Sequence, residues 1–220
     1  VVSGVKNEFS GVNVSLAVKY RPQSFESICG QTSVRKILQH QIETNTVKHA
    51  YLFCGSAGCG KTSSARIFAN EINHGQGEPI ELDMASNNGV DDVRNIIQQA
   101  QTQSLDSEYR VFICDEAHAV TPNGWAAFLK TLEEPPKKSI FIFCTTNPEK
   151  IPSTILSRVQ RYDFHRLSQH AIVERLRYII DSENGVKSAP VGEKRESVST
   201  EEQNANTDGF GALDLPFKIE

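Results

Sequence analysis

Short apolar runs alternate with longer amphipathic stretches through the middle of the chain. Ala50–Cys54, Ile80–Met84, Tyr109–Asp115, Ile140–Thr145 and Arg161–Phe164 are four to seven residues long and read as strands. Lys61–Ile72, Val90–Thr102, Trp125–Leu132 and the short Ser153–Arg158 read as helices between them. A helix over residues 31–44 places Val34, Ile37, Leu38, Gln41 and Ile42 on one face, and a last helix covers Gln169–Ile180. Pro135 and Pro136 stop the helix before them, because proline has no N–H to donate. Strands that are mostly apolar on both sides cannot face water on either. The pattern therefore predicts an α/β fold, a doubly wound parallel sheet with helices on both faces.

The two ends have a different texture. Residues 1–14 read as a mobile arm and residues 15–182 as the folded domain. Residues 183–208 hold no aromatic side chain and are rich in Ser, Glu, Asn, Lys, Gly and Thr, the composition of a disordered linker. Residues 209–220 regain Phe210, Leu213, Leu215, Phe217 and Ile219 and read as a short motif on that tether.

Composition adds limits. The chain is 38% hydrophobic, enough for a core, but no apolar run approaches a membrane span. The first 14 residues contain no stretch resembling a signal peptide, so a cytoplasmic location is expected. The net charge of −4 is uneven: residues 181–220 carry 9 acidic and 4 basic residues, leaving the remainder at +1. That near-neutral core neither requires nor excludes a nucleic-acid partner. The five cysteines form no C-x-x-C pair, so reduced, structural thiols and no zinc are expected.

Two motifs carry chemistry. Gly55-Ser56-Ala57-Gly58-Cys59-Gly60-Lys61-Thr62 fits G-x-x-x-x-G-K-[ST] and lies between a predicted strand and a predicted helix. Glycines there let successive N–H groups turn toward a phosphate, at the positive end of the helix. Lys61 would reach the β- and γ-phosphates of ATP, and the Thr62 hydroxyl would ligate Mg²⁺. The competing reading is a Gly-rich turn with an incidental lysine. Val111-Phe112-Ile113-Cys114-Asp115-Glu116 is an apolar strand ending in two carboxylates. Asp115 would join the Mg²⁺ shell and Glu116 would orient or deprotonate water. An ordinary acidic strand end is the alternative. Asp115-Glu116-Ala117-His118 also spells a helicase box, but a helicase of that kind needs a second motor domain, for which residues 15–182 leave no room.

Leu16-Ala17-Val18-Lys19-Tyr20-Arg21-Pro22-Gln23-Ser24-Phe25 resembles the opening of AAA+ clamp-loader ATPases, in particular the bacterial gamma/tau family. Ala85-Ser86-Asn87-Asn88-Gly89-Val90-Asp91-Asp92-Val93-Arg94, Phe128-Leu129-Lys130-Thr131-Leu132-Glu133-Glu134-Pro135-Pro136 and Thr145-Thr146-Asn147-Pro148-Glu149-Lys150-Ile151-Pro152 are similar to that family's later motifs, in its order. The resemblance implies a P-loop AAA+ fold in which Tyr20, Arg21 and Pro22 lie over the base and ribose. It implies that Thr146 acts as the first sensor of the γ-phosphate. Arg158, in Ile155-Leu156-Ser157-Arg158, would be an arginine finger acting in trans on a neighbouring subunit's ATP. Departures are visible. Asn73-His74-Gly75-Gln76-Gly77-Glu78-Pro79 stands where the family carries a four-cysteine zinc module, and Val159 replaces a cysteine. A polar tail stands where helical lid and collar domains are expected after Ile180.

The resemblance implies an ATP-driven clamp-loader subunit whose partners are other loader subunits, the sliding clamp and primed DNA. The alternative is a non-motor nucleotide-binding paralogue that docks on the replisome and regulates it. Leu213, Leu215 and Phe217 resemble a clamp-binding peptide, and a fold-back of Phe210–Ile219 onto the domain is the competing expectation.

Overall fold

The computed structural model describes residues 15–102 and 104–185. The predicted arm at 1–14, the tail from residue 186, and with it Leu213, Leu215 and Phe217, lie outside the described residues.

Five strands form one sheet: β1 (Ala50–Cys54), β2 (Ile80–Asp83), β3 (Arg110–Asp115), β4 (Ser139–Thr145) and β5 (Gln160–Asp163). Their order is β2-β3-β4-β1-β5, and every neighbouring pair is parallel. The helices are α1 (Leu16–Lys19), α2 (Thr32–Glu43), α3 (Lys61–Ile72), α4 (Val90–Gln101), α5 (Pro122–Glu133), α6 (Ser153–Leu156) and α7 (Gln169–Glu183).

Strand periodicity builds two cores. Tyr51 and Phe53 of β1, Val111 and Ile113 of β3, and Ile140 and Ile142 of β4 pack on one face with Leu38 of α2 and Phe68 of α3. Their neighbours Leu52, Phe112, Phe141 and Phe143 pack on the other face with Val93, Trp125, Phe128 and Ile155. Successive side chains point to opposite faces, so only a strand apolar at every position can serve both layers. β2, at the sheet edge, has no fully buried residue, and its exposed positions alternate along the strand.

Two predicted boundaries differ by three residues: α7 runs on to Glu183 rather than Ile180, and α5 starts three residues before Trp125. Thr121 caps it by accepting the Gly124 N–H at 3.2 Å, and Pro122 occupies the first helical position. Gly124 is there because space is short: a Cβ would lie 2.8 Å from Val120 Cγ1 and 3.2 Å from Asn88 O. No residue of α7 is buried. It is held instead by polar contacts, with Arg175 donating to Tyr20 O and Glu183 Oε1 accepting from both Lys19 Nζ and Tyr20 Oη at 2.6 Å.

Under α5 the core is an aromatic layer of Phe112, Trp125, Phe128, Phe141 and Phe143. Phe141 stacks on Phe112 with centroids 5.3 Å apart and meets the Phe128 ring edge-on at 5.9 Å. Replacing Phe141 with Ala is expected to lower stability by about 3–5 kcal/mol, measured by chemical denaturation. A loss under about 1 kcal/mol would place the main support of the sheet elsewhere.

Candidate nucleotide-binding site

In parallel sheets, ligands sit beyond the carboxyl ends of the strands, where neighbouring connections diverge. Here β1 is that strand, because the chain leaves it toward β2 on one side and later returns on the other as β5. The Gly-rich loop, Gly55–Gly60, leaves the carboxyl end of β1 and opens α3. Its first amide, Gly55 N, donates to Thr145 O at 3.2 Å, tying it to the end of β4. Gly58 and Gly60 have φ of +74° and +99°, which a side chain disfavours, and a Cβ on either would meet nothing within 4 Å. The loop thus presents an open backbone surface at the start of a 12-residue helix.

The charged groups converge on that surface. Lys61 is buried, and its Nζ donates to Gly55 O at 2.8 Å and Ser56 O at 3.0 Å. Thr62 Oγ1 donates to Asp115 Oδ2 at 2.8 Å. Next to it, Glu116 has φ of +50°, and its N–H donates to Asp115 Oδ1 at 3.0 Å. A left-handed backbone on a residue with a side chain costs on the order of 1–3 kcal/mol and persists only where the surroundings impose it. Thr146, just past the end of β4, holds its hydroxyl 3.5 Å from Glu116 Oε2. A hydroxyl and a carboxylate side by side are the oxygen donors a hard cation such as Mg²⁺ takes, so this set fits that ion.

Not every sequence candidate comes to this place. Tyr20 lies against α7, its ring edge-on to Tyr178 at 6.3 Å. Among the described residues, neither Tyr20 nor Arg21 nor Pro22 hydrogen-bonds to the loop. Arg158 is engaged within its own chain: Nη2 donates to Glu133 Oε1 at 2.6 Å and Nη1 to Thr154 O at 2.6 Å.

Gln31 is a residue the sequence reading did not single out. Its amide donates to Cys59 O at 3.2 Å and His165 O at 2.6 Å, and its Oε1 accepts the His165 N–H at 3.1 Å. It thereby joins the loop to the segment between β5 and α7. A cavity of about 290 Å³ opens beside it, lined by Gly30, Gln31, Val34, His165, Leu167 and Ala171. No local spacing rule links residues this far apart in sequence. The left-handed pair Gly30-Gln31, with φ of +64° and +55°, is the nearest signal.

A glycine-rich loop on a helix, an acidic strand beside it and a five-stranded parallel sheet define a P-loop protein of the AAA+ type. The fold is shared with the Thermotoga maritima RuvB Holliday junction branch migration motor, at TM-score 0.61 and 20% identity, over 76% of this chain and 56% of that one. It is shared also with a DNA polymerase III gamma subunit-related protein of the same organism, at TM-score 0.52 and 22% identity, over 60% and 47%. In sequence, the family model for "DNA polymerase III, delta subunit" matches residues 30–88 and 79–168. DNA polymerase III subunit tau of Bacillus subtilis is 43% identical over 74% of this chain and 33% of its own length. The Escherichia coli subunit of the same name is 34% identical over 77% and 30%. The chain belongs to this family of DNA polymerase III clamp-loader subunits and is gamma/tau-like within it. It spans about a third of the length of these curated relatives. Among the described residues, no helix is long and apolar enough to cross a membrane.

The cysteines are part of the packing. Burial pushes the Cys54 thiol up to about 11, Cys114 up to about 12, and Cys144 well above the ordinary thiol range. Only the thiolate is nucleophilic, so at about pH 8 these three are protonated as well as shielded. Iodoacetamide on the native protein should modify Cys29, which is only half-buried, and spare Cys54, Cys114 and Cys144. Unfolding should open all five to modification, counted by peptide mass spectrometry. Native-state labelling of Cys114 at a free-thiol rate contradicts this.

Proposed function

We propose that this chain binds ATP with Mg²⁺ and hydrolyses it as a motor subunit of a sliding-clamp loader. The observation that carries the reading is the meeting of Lys61, Thr62 and Asp115 under an open Gly-rich loop, with Thr62 Oγ1 2.8 Å from Asp115 Oδ2. The loop amides of Gly55–Thr62 cradle the phosphates, and Lys61 exchanges its carbonyl partners for phosphate oxygens. Thr62 and Asp115 hold the cation. Mg²⁺ held there would supply neutralisation of phosphate charge. Glu116 orients the attacking water, and Thr146 senses the terminal phosphate from the end of β4. The cavity beside Gln31 takes the base. α7 borders that cavity through Ala171 and holds Tyr20 through Arg175, which favours a place for Tyr20, Arg21 and Pro22 over the base and ribose. In this reading the partners are other loader subunits, the clamp and primed DNA, as the family resemblance implies.

The first test is binding. Calorimetric titration of the chain with Mg-ATP should show saturable binding that Lys61→Ala abolishes. Wild-type protein with no measurable affinity overturns the reading.

The second test concerns Arg158. It is supplied to a neighbour's nucleotide here, so dilute monomer should hydrolyse ATP slowly, and both Arg158→Ala and Lys61→Ala should be impaired in assemblies. In P-loop GTPases such a finger contributes on the order of 10³–10⁵ in rate. A mixture of the two variants should recover part of the activity, because each supplies what the other lacks. Monomer as fast as the assembled complex contradicts the role in trans.

A further inference from the structure

His118 has no part in the phosphate site as described above, yet it touches the carboxylate beside it. It lies in the 3₁₀ turn Ala117–Ala119 that follows β3. Its Nδ1 is 3.2 Å from Glu116 Oε2 and 3.2 Å from Thr145 Oγ1. Thr145 is the last residue of β4 and fully buried, and its Oγ1 accepts the Asn147 N–H at 3.0 Å. That oxygen therefore has little freedom to move. On the other side, Thr146 Oγ1 stands 3.5 Å from the same Glu116 oxygen. One carboxylate oxygen of Glu116 is thus bracketed by two groups that both report where β4 ends.

An ionised carboxylate only accepts hydrogen bonds, so the 3.2 Å approach of Nδ1 to Glu116 Oε2 is favourable when Nδ1 carries the ring proton. The bond made by one ring nitrogen sets the tautomer, and with it what the other nitrogen offers. Thr145 Oγ1 lies at the same distance from Nδ1 and is its hydrogen-bond partner, which pins the ring. Glu116 also sits in a left-handed backbone, which needs outside support. A His–Thr brace between two strand ends is such a support.

We propose that His118 is a positioning residue for Glu116, a ring that transmits the position of the β4 end to the carboxylate aimed at the attacking water. This rests on the ATP-hydrolysing reading of the site. A shift of β4 on contact with a terminal phosphate would then reach Glu116 by two routes, through Thr146 directly and through Thr145 and His118.

The test uses the full chain. With histidine labelled by ¹⁵N, a long-range ¹H–¹⁵N spectrum identifies the His118 ring by its disappearance in His118→Asn. The wild type should show the Nδ1-protonated tautomer. Glu116→Ala should remove that preference, and Glu116→Gln should keep it, since the amide oxygen still accepts. His118 signals that are the same in wild type and Glu116→Ala overturn the proposal. In the assembled loader, His118→Ala should lower kcat about 10²-fold, while affinity for a non-hydrolysable Mg-ATP analogue stays within about 2-fold. His118→Asn should restore most of kcat, because its amide N–H₂ can stand where Nδ1 stood. An unchanged kcat in His118→Ala, or a loss of analogue affinity as large as the loss of kcat, also overturns it. Wild-type protein that binds no analogue defeats the ATP reading alone, and the tautomer comparison still decides whether His118 holds Glu116.

Discussion

The carboxyl edge of the sheet is organised by how tightly the backbone passes at Gly55. With φ of +154°, a Cβ there would lie 2.5 Å from Phe164 O and 3.0 Å from Cys59 Sγ. The chain can thread between the ends of β4 and β5 only because that atom is missing. Parallel register then does the rest. Cys54 lies opposite Thr145 on one side and Asp163 on the other, and Cys114 lies opposite Phe143. Strand ends spaced at about 4.8 Å intervals leave little latitude to the groups that follow them. Thr62 and Asp115 can meet across two strand positions because α3 starts where this register puts it.

The same two-faced burial explains what could be read in advance. A strand flanked by helices on both sides must be apolar at consecutive positions, and such runs stand out in a sequence. The five strands therefore fall within about a residue of expectation, and the glycine-rich loop is visible because backbone geometry dictates its residue types. The start of α5 was hidden by Gly124, a residue that usually interrupts helices and is required here by the nearby Asn88 carbonyl. Gln31, Glu133 and His118 escaped for a different reason. Each acts on a partner that the fold, rather than local spacing, brings near: Cys59 and His165 for Gln31, Arg158 for Glu133, Thr145 for His118. No short-range pattern encodes those meetings. In the sequence His118 is only the last letter of an acidic box.

The ion pair between Arg158 and Glu133 gives the proposed action in trans an energetic form. The two side chains are partly exposed, at 32% and 46%, and pairs of this kind are worth about 0–1 kcal/mol. A guanidinium so held keeps a fixed direction at little cost to its release. The more concentrated negative charge of a phosphate presented by a neighbour would outcompete one half-solvated carboxylate.

Lys61 has the opposite character. Its side chain is largely withdrawn from solvent, and its hydrogen bonds end on two carbonyls of the loop it serves. Part of the cost of dehydrating that cation, ordinarily among the larger penalties of capturing an anion, is met when the chain folds. An arriving ligand therefore trades acceptors on a charge that is already largely withdrawn from water. The energy of the new contact appears in the binding constant only as its margin over two peptide oxygens. Those oxygens, once released, must find other donors or water. Capture at this site is in that sense a displacement reaction, in which the protein's own backbone is the leaving group.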